Sequence, residues 1–164
     1  MKTYVLTLSQ VFPATHPRKG EPTYFKEQVL NAVFGKENNW YIKTSYPEKN
    51  RFKLHTIREN YTLWKKRFEQ IERGEACLSV RRWSGRPYAS EQVEIIQLTK
   101  KDGIGLQRLG FYYELHHPIV EGKSIDVNTI ADNDGLLLKD WVDWFKNNDL
   151  TKPLAIIHFT KFRY

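Results

Sequence analysis

The chain has 164 residues, 14% of them aromatic, which suffices for one well-packed domain and is short for two. Cys77 is the only cysteine, which excludes an internal disulfide; with no secretory signal in residues 1–8 and no apolar run near the ~18 residues of a membrane span, a cytoplasmic protein is expected. The net charge of +7 is unevenly spread: residues 1–90 hold 17 Lys and Arg against 8 acids, and residues 91–164 hold 9 against 11. A basic amino-terminal half attracts polyanions by long-range field and counterion release.

Residues 3–12 alternate as a strand does. Pro13, Pro17, Gly20 and Pro22 then break the chain into a loop that carries His16 and Arg18. Thr23 reads as the N-cap of a helix to about Phe34, with Phe25, Val29, Ala32 and Val33 as its buried stripe and Gly35 as its stop. Residues 36–50 are polar and turn-rich around Trp40-Tyr41-Ile42, a surface excursion with room for one short strand. Residues 53–58 form a short strand or turn, and Asn60 caps the next helix, in which Tyr61, Trp64, Phe68 and Ile71 recur at helical spacing. Gly74 ends that helix. Residues 76–83 alternate at period two, Ser84-Gly85-Arg86-Pro87 turns, and residues 92–99 return as the antiparallel partner.

Residues 103–115 read as one or two strands with bends at Gly103, Gly105 and Gly110, and residues 119–128 as a connecting loop. A helix through about residue 147 follows Gly135, with Leu137, Leu138, Trp141, Trp144 and Phe145 as its stripe. Residues 154–162 are apolar enough for a central strand. The strands and helices so read make one α+β domain.

Two stretches carry chemistry. Lys53-Leu54-His55-Thr56-Ile57-Arg58 packs two cations, a hydroxyl and an imidazole into six residues. Such a set suits an anion or a nucleobase edge, although a strand whose Lys53 and Arg58 merely meet solvent has the same composition. A regular strand would send Lys53 and Thr56 to opposite faces, so a shared site requires a bulge or turn between them. Farther on, Arg81, Arg82 and Arg86 interleave with Trp83 and Tyr88. Guanidinium and aromatic faces together suit single-stranded RNA, or else the arginines lie over the tip's own rings. His116-His117 has no third ligand at a recognised spacing, so no metal site and no cofactor is expected.

The first of these stretches resembles the signature of the ASCH family, a branch of the PUA-like superfamily of small RNA-associated β-barrels. That signature runs Gly-x-Lys-x-x-(Thr or Glu)-x-Arg, and Lys53, Thr56 and Arg58 match it, while Arg51 stands in place of the Gly. Gly74-Glu75-Ala76-Cys77-Leu78 occupies the place of the family's Gly-Asp-x-Leu turn, and Asp134, the late helix and Ile157-His158-Phe159 follow in the family's order. The likeness spans residues 51–162. It implies a PUA-like barrel of five to six mostly antiparallel strands with about three packed helices, opened by a strand in residues 1–12, with residues 13–50 an elaboration after that first strand. It also implies an RNA or modified-nucleoside ligand held in a Lys/Thr/Arg cleft by Arg58, His55 and the Arg81, Arg82, Trp83, Arg86 and Tyr88 tip.

One branch of the family hydrolyses the acetyl group of N4-acetylcytidine, which by resemblance makes Lys53, Thr56 and Asp134 a catalytic set, with Asp134 in place of the usual Glu. Another activity reported among ASCH-like proteins is RNA cleavage. From its own context, Asp134 before Gly-Leu-Leu also reads as an ordinary helix cap, and one carboxylate can serve as both cap and acid.

Overall fold

The computed structural model describes residues 1–35 and 47–164; the surface excursion expected around Trp40 lies outside them. The chain opens with β1 (Lys2–Thr7), crosses to α1 (Phe25–Phe34), and enters β2 (His55–Arg58) and α2 (Tyr61–Glu72). Next come β3 (Ala76–Trp83), β4 (Gln92–Leu98), β5 (Gly105–Phe111), β6 (Pro118–Val120) and β7 (Lys123–Ser124). Helices α3 (Val127–Asn133) and α4 (Leu138–Phe145) precede the last strand, β8 (Leu154–His158).

The architecture is α+β, in two sheets. One has the order β1-β3-β4, with β1 parallel to β3; the other has the order β2-β8-β5-β6-β7 and is antiparallel throughout. Among the described residues neither sheet closes into a barrel, and the helices number four rather than three. Both sheets contribute to one apolar core, through Leu6, Leu78 and Val80 on one side and Ile57, Leu109 and Ile156 on the other. No helix of the described residues is long and apolar enough to cross a membrane.

Several elements form where local chemistry asks for them. The Asn60 side chain accepts from the Leu63 amide and caps α2, which buries Trp64, Phe68 and Ile71. Residues 76–83 and 92–98 pair as an antiparallel ribbon, and β8 is buried along its whole length between β2 and β5.

Other expectations are corrected. The N-cap position of α1 falls to Tyr24, at φ 59°, one residue after Thr23, whose hydroxyl donates to the Ser9 carbonyl and accepts from the Phe25 amide at 3.4 Å. Residues 119–128 are a β6–β7 hairpin and the start of α3. Glu121 and Gly122 both take positive φ, the type I′ arrangement that suits the twist of a two-residue hairpin. The late helix expected after Gly135 is α4, and an additional helix, α3, precedes it; the chain turns between them at Gly135 with φ 82°. Leu137, expected in the stripe of α4, is 53% exposed.

Candidate functional site

The segment before β2 decides the site. The Lys53 amide donates to the Gln28 carbonyl of α1, and the Leu54 amide to the Asn133 carbonyl of α3. Clamped between two helices, residues 53 and 54 stay outside the regular strand, which begins only at His55. That irregularity lets Lys53 and Thr56 line the same cavity, of about 230 Å³, together with Arg58, Asp134, Thr7 and Phe25.

Lys53 is 1% exposed and Asp134 3%. The ammonium lies 2.7 Å from Asp134 Oδ1, also donates to the Asp134 carbonyl, and sits 3.9 Å from the centre of the Phe25 ring. Burial lowers the Lys53 pKa against the attraction of Asp134, and burial raises the Asp134 carboxyl against the attraction of Lys53. The two shifts bring the groups' proton affinities closer together. The Trp141 indole N–H, which finds no partner of normal hydrogen-bond geometry, favours the ionised carboxylate as well.

Asp134 is therefore not the cap of the helix after it. It closes α3 through its backbone, Leu137 stands at the start of α4, and the carboxylate is committed to Lys53. Gly135 explains how the chain comes so near. A side chain there would meet Gln28 Oε1 at 2.0 Å and approach Lys53 Cβ at 3.4 Å, and its φ belongs to the left-handed region that glycine adopts without strain.

Arg58 reaches over the strand rather than into solvent. Nη1 donates to Thr56 Oγ1 at 3.0 Å and to the Ile57 carbonyl at 2.9 Å, and Nη2 to the Thr7 carbonyl of β1 at 2.6 Å. The Thr56 hydroxyl, already an acceptor for Arg58, keeps its own proton for another partner. Among the described residues no hydrogen bond joins Lys53 to Thr56.

His55 was expected at the ligand and stands elsewhere. It is fully buried behind Asp134, with Nε2 2.6 Å from the Tyr164 hydroxyl, and is not part of the cavity lining. As residue 55 of a strand beginning there, it faces away from its neighbour Thr56. Burial, and then the neighbouring His158 and Lys53, hold its pKa well below the ordinary histidine value.

The second stretch forms the β3–β4 tip. Trp83 and Tyr88 pack on each other at 5.1 Å, and Tyr88 is 91% exposed. Arg81 Nε donates to Ser79 Oγ, and Arg82 to the Trp83 carbonyl. Among the described residues neither ring is covered by an arginine, and Arg81, Arg82 and Arg86 make no ion pair with a carboxylate. The tip is joined to the Lys53 cavity through β1 and the residues just after it. Thr7 and Ser9 line both that cavity and a hollow of about 440 Å³ against Trp83 and Tyr88. Ser9 and Phe25 also border a third hollow, of about 320 Å³, that reaches Arg82. The roles of Thr7, Ser9, Phe25 and Tyr164 had no local signal in the sequence, because each is brought in by a distant element. Neither a family model, nor a curated protein, nor a solved structure matches the chain.

Proposed function

We propose that the chain is an ASCH-type domain that binds RNA or a modified nucleoside, its two sheets standing as an opened form of the PUA-like barrel. One base enters the cavity of Lys53, Thr56 and Arg58, and the strand runs out past Thr7 and Ser9 to stack on Trp83 and Tyr88. The observation that carries this reading is that Thr7 and Ser9 line both the Lys53 cavity and the hollow against the uncovered aromatic tip. The cavity, about 230 Å³, is smaller than the ~300–1,000 Å³ of pockets for drug-sized ligands, a scale that suits a base alone. Its polar groups are a hydroxyl with a proton to give, an ammonium with one hydrogen beyond its two bonds, and a carboxylate; these match the mixed donors and acceptors of a base edge.

Deacylation is the second reading, favoured by the presence of Lys53, Thr56 and Asp134 on one cavity wall. Thr56 Oγ1 would attack the acetyl carbon of an N4-acylated cytidine while its proton passes to a neutral Lys53 amine. The protonated Asp134 carboxyl would give its proton to the departing N4 nitrogen, and the Lys53 ammonium would restore it across their 2.7 Å contact. Water then cleaves the Thr56 ester and releases acetate. The lack of a Lys53–Thr56 hydrogen bond places binding ahead of hydrolysis, and ribonuclease action, with Lys53 stabilising charge at phosphorus, stands behind both.

A panel of N4-acetylcytidine, RNA oligomers and single-stranded DNA, followed for binding and for products, sorts these readings. The expected result is binding of RNA or the nucleoside, weakened about tenfold or more by Thr56→Ala and by Lys53→Ala. Release of acetate would establish the amidase, and shortened RNA the nuclease. Identical behaviour of both variants and the wild type on all three ligands would overturn the site.

A further inference from the structure

The fully buried His55 and His158 face each other across β2 and β8, with ring centres 5.5 Å apart, and among the described residues neither Nδ1 has a hydrogen-bond partner. Their other nitrogens differ in surroundings. His158 Nε2 lies 2.9 Å from Gln107 Oε1, an oxygen that also accepts from the Tyr164 amide. That oxygen can only accept, so the His158 proton sits on Nε2 and its Nδ1 is a bare lone pair.

His55 Nε2 lies 2.6 Å from the Tyr164 hydroxyl, which already accepts from Asn133 Nδ2 at 3.1 Å. Asn133 Nδ2 can only donate, so among the described residues His55 Nε2 is the acceptor within reach of the hydroxyl's own proton. The His55 ring proton is thereby assigned to Nδ1. That atom lies 3.9 Å from Asp134 Oδ1, and the His55 backbone carbonyl favours a proton on the ring as well.

We propose that His55 is a positioning residue for Asp134, held by Tyr164 in the tautomer whose Nδ1–H faces the carboxylate, ready to replace Lys53 as its donor when the lysine turns to a ligand. This rests on the reading of Lys53 and Asp134 as a ligand site. The 3.9 Å separation is too long for a hydrogen bond while Lys53 holds Oδ1 at 2.7 Å. A ligand that draws the ammonium away leaves a buried carboxylate in need of a new donor, and among the described residues the unpartnered donors beside it are the Trp141 indole N–H and His55 Nδ1–H, the latter facing the Oδ1 that Lys53 gives up. The charged and titratable groups facing the ring are Lys53, Asp134, His158 and Tyr164.

The test needs no ligand. Long-range ¹H–¹⁵N NMR of the wild-type protein at pH 7 is expected to show both rings neutral and in opposite tautomers, His55 protonated on Nδ1 and His158 on Nε2. Tyr164→Phe should abolish the Nδ1 preference of His55 and leave His158 unchanged. Lys53→Met keeps the side chain's length and removes its charge; in it the His55 Nδ1 proton should move downfield and the His55 titration midpoint should rise. His55 protonated on Nε2, or a His55 indifferent to both substitutions in folded protein, would overturn the proposal. A negative ligand panel with the expected tautomers would instead defeat the function and leave the hydrogen-bond arrangement standing.

Discussion

Burying the Lys53 ammonium beside Asp134 takes two charges out of water, and their attraction in the interior offsets that loss only in part. An apolar pair would fill the space with less conflict, which argues that the charges serve a ligand. Lys53→Met removes the carboxylate's charged partner and should destabilise the protein by about 3–5 kcal/mol, whereas Lys53→Met with Asp134→Leu should recover most of that loss. Denaturant titrations of the two variants decide it. The pH dependence follows from the direction of the Asp134 shift. Its pKa is already raised by burial, and loss of Lys53 removes the largest opposing attraction. A raised folded pKa means stability that is intact below the ordinary carboxylate range and lost as pH rises through the folded value. The Lys53→Met deficit should therefore be larger in neutral than in acid solution. The resemblance set Lys53 and Asp134 in one site, but their direct ion pair had no local signal in the sequence, because the two are 81 residues apart.

At the scale of elements, β2 and β8 bring two neutral histidines into register. Burial is the leading cause in both, lowering His55 well below its ordinary value and His158 to about 3. A depressed folded pKa gives stability that is complete above the unfolded value and lost as pH falls toward the folded one. Each histidine should contribute a slope of about 1.4 kcal/mol per pH unit just below pH ~6. His158→Gln removes one of them, and stability measured against pH should show the slope in that window roughly halved; an unchanged slope would exclude a neutral buried His158. Elements such as α2, β3 and β4 could be read from the chain because capping, periodicity and turn residues agree there. The β6–β7 hairpin could not, since Glu121-Gly122 lacks the Asn or Asp that usually marks its turn. Helix α3 could not be read either, since its seven residues are too few to show a helical period; Gly135 follows it where the backbone must pass close to Gln28 and Lys53.

Over the whole molecule, the basic half of the chain supplies both the cavity cations and the arginine tip, and Thr7 and Ser9 border the hollows at both places. The α+β class could be foreseen from the order of elements. Two open sheets in place of a barrel could not, because sheet closure depends on pairings between strands far apart in sequence. Tip and cavity should answer differently to salt. Each phosphate contact on a single strand contributes about −0.7 to the slope of log affinity against log salt. Arg86→Ala should flatten that slope by about this amount, while Thr56→Ala, which removes no charge, should weaken binding equally at every salt concentration. Fluorescence anisotropy of a single-stranded RNA oligomer, titrated with wild type, Arg86→Ala and Thr56→Ala at several salt concentrations, reads both effects together. A lowered affinity with unaltered salt slope for Thr56→Ala would place the ligand in the Lys53 cavity, and wild-type affinity for that variant at every salt concentration would remove it from there.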